Sequence, residues 1–187
     1  MFGILGEDSS DVETLTVIVR RLAGNESLPI KTKGFGGSGG LLTKGRRILE
    51  LMAAQGCDRF VVCIDADGPN PQPNYQRVVE SVTEPAEVDA AACIVIPVQE
   101  LEAWILADIQ AVSRILSSWT PQPVKNPEGI AKPKEHLVRL SRKKNAKPRY
   151  ITTVHNGRVA EYLNLGEVMR KCPSFLPLRE FVLANSH

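Results

Sequence analysis

The segment Arg59-Phe60-Val61-Val62-Cys63-Ile64 constrains this chain more than any other. Its unbroken apolar, largely β-favouring run reads as a strand buried on both faces, and such a strand belongs in the middle of a parallel sheet covered by helices. The run ends on Asp65-Ala66-Asp67-Gly68, so two carboxylates stand at its carboxyl end.

Similar pieces flank it. Phe2 to Gly6 is a short apolar run closed by glycine, and Ser10 to Ala23 carries a helical stripe of Val12, Leu15, Val19 and Leu22 that Gly24-Asn25 stops. Leu28 to Lys33 alternates like a half-exposed strand, and the glycine-rich Gly34 to Gly40 leads into a helix over Leu41 to Gln55. Beyond the central strand come a proline loop, a helix over Tyr75 to Glu87, a buried strand over Ala91 to Val98 and a long amphipathic helix over Glu100 to Leu116. This order predicts an α/β, Rossmann-like fold with a mostly parallel four-stranded sheet and helices on both faces. The 187 residues suit one α/β domain over 1–118 and an appendage over 119–187. The appendage opens on the proline-rich stretch Trp119 to Pro133. It continues with short helices at about Lys134 to Arg142, Gly157 to Lys171 and Ser174 to Leu183, a basic helical extension packing on the first domain.

The longest uncharged apolar stretch, Ala90 to Val98, spans nine residues, half of the roughly 18 a membrane helix needs. The start lacks a basic segment before its apolar run, so a cytoplasmic protein with no membrane contact is expected. Cys57, Cys63, Cys93 and Cys172 have neither zinc-site spacing nor the density of a disulfide scaffold, so no disulfides are expected. His136, His155 and His187 are too scattered for a zinc signature, which leaves any metal to oxygen ligands.

Those oxygens are plentiful at the strand ends. Glu7, Asp8 and Asp11 follow the first strand, Asp65 and Asp67 the third, and Glu100 and Glu102 the fourth. In a parallel sheet these ends converge on the ligand crevice. Clustered carboxylates repel one another, and a divalent cation with a preference for hard oxygen, Mg²⁺ or Mn²⁺, is the simplest remedy. Each piece also has a structural reading: Asp8 and Ser9 as helix caps, Asp67-Gly68 as a turn, Glu100 as the acidic start of its helix. Asp65 resists one, because a charge that ends an apolar run needs a partner.

Charge is segregated along the chain. Residues 1–118 carry ten basic against sixteen acidic side chains, and residues 119–187 carry thirteen against five. Within the latter Lys132, Lys134, Arg139, Arg142, Lys143, Lys144, Lys147 and Arg149 form a dense run, with Arg139, Arg142 and Lys143 expected on one helical face. Nucleic acid is the obvious anion for such a surface; a solvated basic helix is the plain alternative. Near the glycines, Lys44, Arg46 and Arg47 are further phosphate contacts. Gly34-Phe35-Gly36-Gly37-Ser38-Gly39 also fits the dinucleotide pattern G-x-G-x-x-G. Against that reading, the preceding strand carries Lys31 and Lys33, and Asp65 lies too far downstream.

Glu7 with Asp11, and Asp65 with Asp67, resemble the Toprim domain of topoisomerases, primases and old-type nucleases. More closely, Gly6 to Asp11, Ile64 to Gly68, Glu100 to Asp108, Pro133-Lys134 and Cys172 to Phe175 resemble a bacterial family catalogued as domain of unknown function 4276, over nearly the whole chain and most specifically at Glu102-Ala103-Trp104. The resemblance implies a Toprim-like fold and frequent placement beside phage-defence or ATPase genes, without a settled activity. Where family members often read Glu-Gly, this chain reads Glu7-Asp8, which adds a charge.

The leading expectation is a Mg²⁺- or Mn²⁺-dependent nuclease. Asp65 and Asp67 hold the metal, Asp11, Glu102 and Glu100 serve as further ligands, and Glu7 acts as ligand or general base. Lys132 or Lys134 steadies the developing negative charge. The competing expectations are a catalytically silent nucleic-acid or protein binding module that works with an ATPase partner and, more weakly, a dinucleotide-binding enzyme.

Overall fold

The computed structural model describes residues 1–143 and 146–186. Four strands, β1 (Phe2–Gly6), β2 (Ile30–Gly34), β3 (Arg59–Cys63) and β4 (Ala91–Val95), form one sheet in the order β2-β1-β3-β4. All three pairings are parallel, with Phe2 opposite both Ile30 and Arg59, and Arg59 opposite Ala91. The expected α/β, Rossmann-like architecture is therefore present. The chain steps from β1 outward to β2 and then to the other side of β1 for β3, so the strand order reverses between β1 and β3.

Side chains alternate across the sheet with the two-residue period of a strand. Phe2, Ile4, Val61, Cys63 and Val95 face a large core cluster shared with α1 (Ser9–Ala23), α4 (Glu102–Ala107) and the helices of the C-terminal third. Leu5, Phe60, Val62 and Ile64 face a smaller cluster with α2 (Ser38–Ala54), α3 (Gln72–Val78) and the wider helical turn Val79–Thr83 that continues it. The C-terminal third is α5 (Pro133–Leu140), α6 (Thr152–Ala160), α7 (Leu165–Lys171), a short 3₁₀ turn at Pro173–Phe175 and α8 (Leu176–Ala184). Leu137, Tyr150, Val159, Phe175, Leu178 and Val182 join the same core as β1, so this region shares with α1 the covering of one face of the sheet. Trp104 is fully buried there, donating from Nε1 to Ser174 Oγ at 2.9 Å and meeting Phe175 edge-on at 5.0 Å.

Several expected helices end early, each where another part of the chain takes up its terminal groups. The helix expected over Glu100 to Leu116 stops at Ala107 and resumes as a 3₁₀ turn over Ile109–Arg114. Lys171 Nζ donates to the Ala107 carbonyl at 2.6 Å, and Asp108 accepts the Asn164 N–H at 2.8 Å. The helix expected over Gly157 to Lys171 is two helices, because Arg21 takes the Ala160 carbonyl and Asn164 caps α7 through the N–H groups of Gly166 and Glu167. Elsewhere α2 and α3 begin about three residues sooner than the apolar pattern predicts, and β2 begins two residues later, at Ile30. Among the described residues no helix is long and apolar enough to cross a membrane, and the four cysteines are buried free thiols.

Candidate functional site

The carboxyl ends of β1 and β3 meet at the strand-order reversal, where a doubly wound sheet opens its crevice. Glu7 leaves β1 there and accepts the Asp65 N–H through Oε1 at 2.9 Å. Its carbonyl oxygen receives the N–H groups of Phe35 at 3.0 Å and Gly37 at 2.8 Å. The glycine segment thus serves the β1 turn. Gly34 is needed for the fit, since a Cβ on it would come within 2.8 Å of the Asp8 carbonyl oxygen and the Ser9 nitrogen. With two of its amides spent on Glu7, and following the edge strand β2 where a dinucleotide turn follows the strand at the reversal, the segment loses the basis of the dinucleotide reading.

Asp8 caps α1, accepting from Ser10 and Asp11 N–H groups, and Asp11 Oδ2 in turn accepts the Asp8 N–H at 3.1 Å. This reciprocal capping box fixes Asp11, which is 9 % exposed. Beyond β3 the backbone ladder with the β4 end continues through Ala66 to Pro97 and Asp67 to Gln99. Asp67 (φ 51°) and Gln99 (φ 65°) both adopt the left-handed region, a strained pair on the rim of the crevice. Asp65 Oδ1 accepts the Leu101 N–H at 2.9 Å, while Asn74 Nδ2 holds the Asp65 carbonyl at 2.7 Å. Glu100 Oε2 accepts the Lys134 N–H at 2.7 Å at the start of α5, and the buried Glu102 accepts from Asn156 Nδ2 at 3.1 Å.

A common pattern emerges. Glu7, Asp11, Asp65, Glu100 and Glu102 each have one oxygen fixed by an uncharged amide. Among the described residues none of them lies within 4.0 Å of a lysine or arginine side-chain nitrogen. Burial, then the charges of Asp11, Glu102 and Glu7, hold the Asp65 carboxyl well above the ordinary carboxylate range. Burial and the neighbouring Asp8 push Asp11 up to about 7, and burial raises Glu102 and Glu7 as well. Partial burial pulls the half-buried Lys134 ammonium down, but Glu102, Asp8, Asp11 and Glu100 together outweigh it and hold its pKa above the usual lysine value. Among the described residues no three of these groups are already spaced as a metal-ligand set. The donor chemistry nonetheless fits a hard divalent cation. Every candidate ligand is a carboxylate, and the second oxygens of Asp11 and Asp65 have no protein donor among the described residues.

The structure thus gathers Glu7, Asp11, Asp65, Glu102 and Lys134, with Glu100 and Asp67 at the margin. It leaves Lys132 outside, exposed and paired with Glu135 at 3.0 Å. The basic surface is dispersed. α5 ends at Leu140, because Ser141 Oγ turns back to the Val138 carbonyl and takes the N–H groups of Arg149 and Tyr150. Arg142 and Lys143 therefore lie beyond the helix and do not share a helical face with Arg139. Lys147 is also exposed, and Lys144 lies outside the described residues. Arg139 contacts His136 at 2.8 Å. Arg149 is a clamp: it donates to the carbonyls of Ser141 and Ser118 and to Ser118 Oγ, and lies over the Trp119 ring. On α2, Lys44 and Arg47 are exposed, while Arg46 pairs with Glu50 at 2.8 Å.

Sequence reasoning missed Asn74, Gln99, Tyr150 and Asn156. Each acts through a hydrogen bond or a backbone angle that no local pattern announces.

A model of the family described as Domain of unknown function (DUF4276) matches residues 7–182, and the chain belongs to that family. No curated protein and no solved structure matches it.

Proposed function

We propose that this member of the DUF4276 family is a Mg²⁺- or Mn²⁺-dependent nuclease that hydrolyses phosphodiester bonds. The observation that carries this reading is the convergence of Glu7, Asp11, Asp65 and Glu102 at the β1–β3 reversal, positioned by amides and, among the described residues, paired with no cationic side chain. Asp65, Asp67, Asp11 and Glu102 would hold the cation, with Glu100 at the edge. A bound cation supplies Lewis acidity to a phosphate oxygen and lowers the pKa of water. Glu7, with its raised pKa, accepts a proton from the attacking water. The Lys134 ammonium, kept protonated by its carboxylate neighbours, offsets negative charge developing on the phosphate. Exposed Arg139, Arg142, Lys143 and Lys147 hold the polynucleotide backbone without reading its sequence.

The test is cleavage of DNA and RNA substrates with Mn²⁺, with and without EDTA, by the wild type and the Asp65→Ala, Asp67→Ala double variant. Chelator-sensitive cleavage that the double variant lacks is expected; equal cleavage by both proteins overturns the assignment.

A second reading, a silent binding module acting beside an ATPase partner, is favoured by one observation: Lys134 already offers the carboxylates a positive charge. It predicts nucleic-acid or protein binding that survives EDTA, with no cleavage.

A further inference from the structure

We propose that Asn156, oriented by Tyr150, is a positioning residue that presents the Glu102 carboxylate to the divalent cation, an inference that rests on the metal-dependent reading above. Both residues are buried, Asn156 at 0 % and Tyr150 at 1 % exposure. The Tyr150 hydroxyl donates to Asn156 Oδ1 at 2.8 Å, and Asn156 Nδ2 donates to Glu102 Oε1 at 3.1 Å. The carboxylate only accepts, so it calls for the –NH₂ end of the amide, and the Tyr150 hydroxyl, donating to Oδ1, locks that orientation. With Oδ1 occupied by Tyr150, the –NH₂ end must face Glu102. Without the hydroxyl the amide loses the bond that anchors its other end, and Nδ2 is held less firmly against the carboxylate.

Tyr150 is itself immobilised. Its N–H donates to Ser141 Oγ at 3.0 Å, and its ring packs edge-on against Trp119 at 6.2 Å and tilted beside His155 at 5.2 Å. The relay therefore runs from the C-terminal third into α4. An arginine or lysine at position 156 would fix Glu102 equally well but neutralise it. A neutral amide holds the oxygen in place and leaves the negative charge for a cation, the role that hydrogen-bond partners behind metal ligands commonly serve.

The experiment titrates Mn²⁺ into the full chain by calorimetry in four proteins, the wild type, Tyr150→Phe, Asn156→Ala and Glu102→Gln, and in the two double variants built on Glu102→Gln. Melting temperatures are read alongside. Wild type is expected to bind Mn²⁺. Asn156→Ala should weaken binding about ten- to a hundred-fold, and Tyr150→Phe should weaken it several-fold. Neither should weaken it further once Glu102 is glutamine, because both act through that carboxylate. A purely structural role would lower the melting temperature while leaving Mn²⁺ affinity within twofold of wild type, and that result overturns the proposal. Losses that add to that of Glu102→Gln overturn it as well. If Asn156→Ala fails to fold, Tyr150→Phe decides, since it removes a single oxygen. A wild type that binds no Mn²⁺ overturns the metal-dependent reading and this inference with it, whereas a wild type that binds, with unaffected variants, overturns this inference alone.

Discussion

The Asp65 N–H donates to Glu7 Oε1 at 2.9 Å, tying the end of β3 to the end of β1 across the reversal of the sheet. The bond gives Glu7 two separable jobs, as an acceptor and as a charge. Glu7→Gln keeps the acceptor and removes the charge, so urea denaturation should find the cation-free variant at least as stable as wild type, with cleavage abolished. Glu7→Ala leaves the Asp65 amide unpaired and should cost about 1–3 kcal/mol. Wild-type cleavage by Glu7→Gln would remove Glu7 from the chemistry.

Stability should depend on pH in an unusual direction. Asp11 ionises at about 7 in the folded protein, against an ordinary 3.8, and Asp65, Glu102 and Glu7 are raised as well. A folded pKa above the unfolded one means that the native state binds the proton more tightly, so the stabilisation is complete below about pH 4 and is lost as pH rises through about 7. In EDTA the melting temperature should fall between pH 5 and pH 8, and Mn²⁺ should restore it most at pH 8. A flat profile that Mn²⁺ does not move contradicts the electrostatics described above.

Ser10 Oγ is buried and has no hydrogen-bond partner among the described residues, while the Ser10 carbonyl serves Thr14 Oγ1 at 2.6 Å. Ser10→Ala removes the unpaired hydroxyl and keeps the backbone bond. Chemical denaturation should show a variant as stable as wild type or more so, by about 1 kcal/mol. A loss larger than that would reveal a partner for the hydroxyl.

Nucleic-acid affinity should divide the arginines. With Arg139, Arg142, Lys143 and Lys147 contacting phosphates, log affinity should fall with log salt at a slope of about −3 to −4 on duplex DNA. Replacing Arg142, Lys143 and Lys147 with alanine should bring the slope to about −1 while sparing the melting temperature. Arg149→Ala should do the reverse and lower the melting temperature, because its guanidinium holds Ser141 and Ser118. A salt slope that the triple variant leaves unchanged places the phosphate contacts elsewhere.

What the sequence determined by itself is local and periodic. The apolar run ending at Ile64 dictates a strand buried on both faces, and the strand-helix order dictates a parallel sheet. Together they put Glu7, Asp65 and the acidic residues after β4 at one end of it, because strands that run the same way end on the same side. The Asp8 cap of α1 was equally legible, since its partners lie two and three residues on, whereas the answering bond to Asp11 was not read. Tertiary structure alone decided the rest. Fifty-four residues separate Asn156 from Glu102, and thirty-one separate Arg149 from Ser118. No periodicity records which distant donor meets which oxygen, so Arg149 read as a phosphate contact and Asn156 as nothing. The same physics broke the long helix at Asp108, where Lys171 and Asn164 satisfy groups that another helical turn would otherwise have satisfied.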